Sequence, residues 1–521
     1  MNHLRGLPVL VLGLGESGLA MARWCASHGA SVRVWDSRET PTRAAALALA
    51  APQALLFGGV LAADALQDAR LVLKSPGLAP HDARIAALLA AARAQGIAVH
   101  GELDLFVRAL GDLQLDRDYA PKVIAITGTN GKTTTTALTA LLVERCGKRV
   151  AMAGNIGPTL LDTLAVALDV VLDDGAPAPL PQVWVLELSS FQLEGGGQGV
   201  QGFEPSAATV LNVTQDHLDW HGSMAAYTAA KARVFGARAL MVINRDDALV
   251  EAMQTSATPA KVAKGRAAPP RKAIRFGLDA PRAAGDFGLV VENGMAWLVR
   301  ALEDDDAGLP RKRTATRSEE LHLQHLMPAD ALRIRGRHNA ANALAAVALA
   351  TAIGCPLAPM LHGLREYQGE PHRVAFVASV GGVEAFDDSK GTNVGATAAA
   401  LQGLGADKAP SRLVVILGGD GKGQDFSPLA APVAQHARAV ALIGRDAAAI
   451  EAALAGTTVP MQRHDSLEAA TAWCFAQARA GDAVLLSPAC ASLDMFRNYG
   501  HRAEVFVAAV GAQTAAQGEL L

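Results

Sequence analysis

Between residues 123 and 145 an apolar strand (Val123-Ile124-Ala125-Ile126) runs into Gly128-Thr129-Asn130-Gly131-Lys132-Thr133-Thr134 and then into a helical segment at 135–145. This order of strand, small-residue loop and helix constrains the chain more than any other feature, because it needs a parallel α/β sheet that delivers the loop to one edge. Small residues let the backbone curl until successive N–H groups face an anion, and the helix N-terminus adds its partial positive charge. Lys132 can reach terminal phosphates, and the Thr133 hydroxyl is placed to ligate Mg²⁺. The full GxxxxGK[ST] spacing is not met, since Gly128 stands closer to Gly131 than that pattern requires. The rival reading is a glycine-rich turn with no ligand, which has strand, GKT and helix together against it.

A second α/β unit opens the chain. Residues 9–14 read as a buried parallel strand, 15–18 as a turn, 19–28 as an amphipathic helix and 31–35 as the next strand. Gly13-Leu14-Gly15-Glu16-Ser17-Gly18 matches the GxGxxG dinucleotide fingerprint, and Asp36 ends the following strand where a ribose-binding acid would stand. Three readings stay open: an NAD domain, a site for any diphosphate at the helix N-terminus, or a tight turn without a ligand. The separate phosphate loop suits the second, with ATP at one site and a nucleotide-linked substrate at the other. A third unit starts near Pro371, with strands at 413–417, 440–443 and 483–486, and the polar stretch 111–122 reads as a linker.

A length of 521 residues calls for two to four domains. Half the residues are hydrophobic and the net charge is -3, which gives no support to a nucleic-acid partner. The five cysteines are scattered with no CxxC pair, so neither a disulfide framework nor a zinc knot is indicated. No charged leader or apolar run of membrane-spanning length is read, so a cytoplasmic protein without a membrane span is expected, and a monomer. Segments 172–181, 195–202 and 303–320 read as solvated surface insertions. The acidic-to-basic switch from Glu303 to Arg313 could alternatively be a docking site.

The middle of the chain concentrates strand-end polar residues. Glu187 follows strand Trp184-Val185-Leu186, where a carboxylate faces the phosphate-binding edge and can ligate Mg²⁺. Asn212 to Asp219 (NVTQDHLD) follows the apolar strand 207–213, and the oxygen ligands around His217 favour a metal or phosphate role over a structural one. His221 lacks that company. Lys231, on a helix leading to Phe235, reads by itself as a solvated lysine.

These residues resemble the Mur ligases, the ATP-dependent amide ligases of muropeptide synthesis. The resemblance is carried, in order, by GTNGKTTT at 128–135, Gly154-Asn155-Ile156-Gly157, ELSSFQLE at 187–194, NVTQDHLD at 212–219 and GRHNAANA at 336–343. It continues through Glu370-Pro371-His372-Arg373, DSKGTN at 388–393, GGDGK at 418–422 and LLSPACASLDMFRNYGHRAEVF at 485–506. It runs from about residue 8 to 507, and its last segment is similar to the D-glutamate-adding branch. It implies an α/β protein of three domains: a Rossmann-like 1–112 for the UDP-substrate, a central P-loop ATPase-like 113–369, and a Rossmann-like 370–521 for the amino acid.

The resemblance also implies site residues. Gly15, Glu16, Ser17, Gly18 and Asp36 would hold the uridine nucleotide near Ser75 and Gly77, with Asn155 and Gln192 on the UDP-substrate. Gly128 to Thr134, Asn339, Arg373 and Asp388 would meet ATP. Lys390, Thr392, Lys422, Ser492, Leu493 and Tyr499 would receive D-glutamate, Tyr499 standing where many relatives have phenylalanine. Thr133, Glu187, His217 and a carbamylated Lys231 would hold Mg²⁺, with Lys132, Glu187, His217 and Lys231 catalytic. The implied reaction joins D-glutamate to UDP-N-acetylmuramoyl-L-alanine through an acyl phosphate and a tetrahedral intermediate. Carbamylation would exchange an ammonium that repels the metal for an oxygen ligand. Rival readings are a muropeptide or folylpolyglutamate-type ligase with another acceptor or amino acid, a nucleotide-gated binding protein, and an NAD-dependent oxidoreductase. The SPACASLD segment argues against the first of these.

Overall fold

The computed structural model describes residues 1–172, 175–197, 199–256, 271–303 and 321–516. Three sheets, each dominated by parallel strands, succeed one another along the chain, as the α/β reading expected. The first has the order β3-β2-β1-β4-β5, formed by β1 (Pro8–Leu12), β2 (Ser31–Trp35), β3 (Leu55–Phe57), β4 (Leu71–Lys74) and β5 (Ala98–His100). The central strand β1 is an unbroken apolar run because helices cover both faces, which removes the alternation of a one-sided sheet. Strand order reverses beside β1, and the crevice there opens at the carboxyl ends of β1 and β4. β1 stops before Gly13, short of the expected 14.

The central sheet is fully parallel, in the order β11-β10-β9-β6-β8-β7. Its strands are β6 (Lys122–Thr127), β7 (Val150–Gly154), β8 (Val183–Glu187), β9 (Ala207–Val210), β10 (Leu240–Asn244) and β11 (Ala273–Phe276). The helix after β6 is Lys132–Arg145, starting three residues before the expected 135. An antiparallel sheet that the apolar pattern did not reveal follows: β12 (Phe287–Glu292), β13 (Met295–Leu302) and β14 (His322–Pro328). Arg245 clamps it to the parallel sheet. Its buried guanidinium donates to Phe287 O at 2.8 Å, Asp279 O at 2.6 Å and Asp279 Oδ1 at 2.6 Å.

The last sheet runs β15-β16-β20-β17-β18-β19, formed by β15 (Ala375–Val380), β16 (Val383–Asp387), β17 (Leu413–Gly418), β18 (Ala437–Ile443), β19 (Met461–Arg463) and β20 (Ala483–Leu486). β15 is antiparallel to β16 and the other pairings are parallel.

Two expectations are corrected. Residues 111–117 are not linker but the end of helix Glu102–Arg117; Gln114, Asp116 and Arg117 face water while Leu113 is buried. That helix joins the first two sheets: Phe106 meets Trp184 edge-on at 5.0 Å, and Leu161 N donates to Glu102 Oε1 at 3.0 Å. Nor is the stretch from 195 a solvated insertion. Gly195 and Gly196 are buried, and a Cβ on Gly196 would sit 1.9 Å from Val99 O, so the missing side chain lets the loop lie flush on β5. Segment 172–181 does sit at the surface among its described residues, and residues 304–320 of the third segment lie outside the described residues.

Arg245→Met should lower unfolding stability by roughly 2–4 kcal/mol, because the buried Phe287 carbonyl loses its donor. A denaturant titration with an unchanged slope would check this.

Candidate active site

The phosphate loop sits at the carboxyl end of β6. Gly131 is left-handed (φ +83°), and a Cβ there would lie 2.5 Å from Asn342 Oδ1, so glycine is required twice over. Lys132 Nζ folds back on its own loop and donates to Gly128 O and Thr129 O, both at 2.8 Å. Lys231 is 2% exposed and donates to the same Gly128 carbonyl at 2.7 Å. The expectation that Lys231 by itself is a solvated helix lysine is overturned: helix Met224–Ala232 turns it inward, 4.4 Å from the Tyr227 ring centre. Burial, then the Lys132 cation, holds its pKa well below the ordinary lysine value. Burial also lowers that of Lys132.

Opposite these lysines Glu187 ends β8. Its Oε1 accepts from Asn155 Nδ2 at 2.8 Å, while its Oε2 is buried without a partner. The loop hydroxyl of Thr214 is likewise buried and unpaired. His217 adopts a left-handed backbone (φ +53°) beside Asp216, its Nε2 3.5 Å from Asp216 Oδ2, and burial lowers its pKa. Thr133 Oγ1 accepts from Arg373 Nη2 at 2.7 Å. Among the described residues no three His, Cys, Asp or Glu side chains converge as a metal cluster. An oxygen donor without a partner, beside a phosphate loop, still suits Mg²⁺, which takes one or two carboxylates and fills its shell with phosphate oxygens and water.

A cavity of about 420 Å³ lies between the central and C-terminal domains, walled by Asn130, Gly131 and Thr134 on one side and by Asn339, Arg373 and Asp388 on others. The structure thus brings together the candidates spread over more than two hundred residues of chain. Asn342, Asn244, His338 and Asn393 belong to the same neighbourhood and were not singled out from sequence. Asn393 Nδ2 donates to Asn130 Oδ1 at 3.0 Å, a second bond across the domain boundary. Asp388 accepts from Ser487 Oγ at 2.6 Å, and burial pushes its carboxyl up to about 7.

A second cavity of about 420 Å³ is lined by Gly13 to Ser17, Asp36 and Ser75 to Leu78. Gly18 closes the turn beneath it; a Cβ there would be 1.9 Å from Gly13 O. The Asp36 carboxylate is already engaged. It accepts from Leu14 N at 2.7 Å and from Arg38 through Nε and Nη2, both at 2.8 Å, which draws its pKa down to about 2. Arg38, half exposed, is therefore a cavity residue that the sequence reading missed. Glu16 points outward to Arg43. Gly15 caps helix Glu16–Ser27, and Gly77 lies in the opposite wall of the cavity. Gln192 spends its Oε1 on the capping box of helix Ser190–Glu194, accepting from Ser189 N at 3.0 Å.

The remaining candidates gather on the C-terminal domain. Lys390 Nζ lies 5.5 Å from the Tyr499 ring centre, and Thr392 N donates to Lys390 O. Ser492 is buried, Leu493 is 72% exposed, and Lys422 is exposed in a left-handed turn. His221, set aside in the sequence, stacks on Phe191 at 5.7 Å with its Nε2 2.9 Å from Ser190 Oγ, and its pKa is pushed down to about 4 by burial and by the charge of His217.

Comparison with known proteins agrees with this architecture. Residues 8–101 match the MurD-like N-terminal domain of Mur ligases, 126–279 the Mur ligase middle domain, and 372–490 the Mur ligase glutamate ligase domain. The chain is 59% identical over 520 residues to a UDP-N-acetylmuramoylalanine–D-glutamate ligase of Albidiferax ferrireducens, covering 99% of this chain and 98% of the relative. It is 59% identical over 510 residues to the ligase of the same name in Burkholderia mallei, covering 96% of each. The fold is shared with the UDP-N-acetylmuramate-alanine ligase of Thermotoga maritima, at TM-score 0.54 and 20% identity over 97% of this chain and 99% of that one. Three domain models in order and relatives this similar leave one conclusion: the chain belongs to the Mur ligase family. That family uses ATP and Mg²⁺. No described helix is long and apolar enough to cross a membrane.

Asp388 generates a pH prediction. Its folded pKa of about 7 lies above its ordinary 3.8, so its contribution to stability is full below pH 4 and is lost as pH rises to 7. The stability difference between the protein and its Asp388→Asn variant should therefore change by at most ~4 kcal/mol across that window and be flat above it, as melting at several pH values would show.

Proposed function

We propose that this Mur ligase joins D-glutamate to UDP-N-acetylmuramoyl-L-alanine at the expense of ATP; the names of its 59%-identical relatives pair UDP-N-acetylmuramoylalanine with D-glutamate. The observation that carries the reading is the full-length match combined with a phosphate loop, an unpaired buried carboxylate oxygen and two cavities of about 420 Å³ each. In this reading the N-terminal cavity holds UDP, the interdomain cavity holds ATP, and the C-terminal domain presents D-glutamate.

The substrate's L-alanyl carboxylate attacks the γ-phosphorus of ATP, forming an acyl phosphate and releasing ADP. The amine of D-glutamate then adds to the acyl carbon, and the tetrahedral intermediate expels inorganic phosphate to leave an amide. Two anions must meet in the first step. Lys132 exchanges the loop carbonyls it now holds for phosphate oxygens, and the loop amides add their dipoles. Glu187, His217, Thr133 and Lys231 would hold Mg²⁺, which supplies charge neutralisation between carboxylate and phosphate. Arg373 and Asn393, bridging from the C-terminal domain to Thr133 and Asn130, hold the site shut so that the acyl phosphate meets the amine before water. Lys390, Thr392, Lys422, Ser492, Leu493 and Tyr499 receive the amino acid, the lysines matching its two carboxylates.

Lys231 is the residue that carbamylation by CO₂ converts into an oxygen ligand. Its burial and depressed pKa supply the free amine that attacks CO₂. The enzyme acts as a monomer in the cytoplasm.

With ATP, UDP-N-acetylmuramoyl-L-alanine and a panel of D-glutamate, L-glutamate and D-aspartate, phosphate and one new amide should form in equal amounts with D-glutamate alone. ATP turnover without amide, or preference for another amino acid, would overturn the assignment. Lys231→Ala should lose at least ~10²-fold in kcat and recover in part with short carboxylic acids, whereas Lys231→Arg should not recover. Full activity of the arginine variant would refute carbamylation.

A further inference from the structure

Lys74 has no task in the chemistry above. It is the last residue of β4, 1% exposed, and stands just before the turn Ser75-Pro76-Gly77-Leu78 that walls the N-terminal cavity. Its ammonium donates to carbonyls at both ends of that turn, to Leu78 O at 2.9 Å and Ser75 O at 3.3 Å. Ser75 Oγ ties the same turn to the glycine loop across the cavity, donating to Gly13 O at 2.8 Å. From the central domain the Trp220 ring approaches Lys74, its centre 5.6 Å from Nζ. Trp220 lies in the short helix Leu218–His221 directly after His217, tilted against Phe191 at 4.8 Å. An ammonium is expensive to bury, and a leucine or methionine would fill this space without that expense.

We propose that Lys74 is a positioning residue of the nucleotide-substrate site: its ammonium holds the Ser75–Leu78 turn in the shape that receives the substrate's diphosphate, and ties that turn through Trp220 to the His217 segment. The proposal rests on reading the N-terminal cavity as the UDP-substrate site. The charged groups facing Lys74 are Glu194, from helix Ser190–Glu194, and Asp104, from helix Glu102–Arg117. Each has another cationic or titratable partner, Arg233 for Glu194 and His100 for Asp104. Burial outweighs both acids and lowers the lysine to about 8. The cation is thus present below pH 8 and lost above it, so nucleotide-substrate binding should weaken as pH rises through 8.

The test measures calorimetric binding of UDP-N-acetylmuramoyl-L-alanine to the full-length protein without ATP, and steady-state kinetics on both sides of pH 8. Lys74→Met should bind about tenfold more weakly and raise KM for this substrate alike, with KM for ATP and D-glutamate within about twofold. It should also lose the pH dependence, and Lys74→Arg should restore most of the affinity. Unchanged binding in Lys74→Met, a parallel rise in all three KM values, or wild-type binding that is flat through pH 8 would overturn the positioning role alone. Wild-type protein that binds no UDP-N-acetylmuramoyl-L-alanine would overturn the site reading, and the role with it. If Lys74→Met does not fold, the wild-type pH profile and Lys74→Arg decide.

Discussion

Two lysines share one carbonyl. Lys132 and Lys231, from different helices, both donate to Gly128 O, and Arg373 is close enough to depress both the Lys132 and the Lys390 equilibria. In a water-poor site like charges repel strongly, and Glu187 and Asp216 are the carboxylates that face them. Lys132, Arg373 and Lys390 leave an excess of basic groups around the loop that a polyanion completes. Everything near the site serves that condition: glycine where a side chain would displace the loop, β8 ending on a carboxylate, and a C-terminal domain that brings another cation to Thr133.

The three domains are held together by different physics, and the difference follows what each contact has to do. The first two share a continuous apolar core across helix Glu102–Arg117, with Phe106 on Trp184 and Leu161 on Glu102. Such a seam resists sliding and holds the N-terminal cavity at a fixed distance from the phosphate loop. The C-terminal domain meets the phosphate loop through polar contacts, Arg373 on Thr133 and Asn393 on Asn130. Polar seams separate at little net free energy because water replaces the lost bonds. A domain held in this way can admit ATP and an amino acid and then close.

Local pattern made much of this legible. The strand, loop and helix around Lys132 are contiguous, so their placement needs no knowledge of the rest of the chain, and Glu187 could be put at a strand end from the apolar run before it. The pattern failed where composition misled. Residues 111–117 look like linker because a helix with one buried face shows mostly polar side chains, and Gly195-Gly196 look like a solvated loop because absent side chains also permit the closest packing. The sheet β12–β14 escaped because its hairpin lies beyond the phosphate-binding core and carries none of the motifs.

The amino-acid sequence by itself determined the α/β class, the phosphate loop, the strand-end carboxylate and the family, since each depends on residues adjacent in the chain or on ordered motifs. Tertiary structure alone decided which distant residues meet. It saturated Asp36 with Arg38 and Leu14 N, leaving Arg38 to face the cavity, and it buried the amines of Lys231, which by itself reads as a solvated lysine, and of Lys74. The physical reason is the same in each case: burial and charge are set by neighbours that converge in space from separate elements, and no local window of sequence contains them.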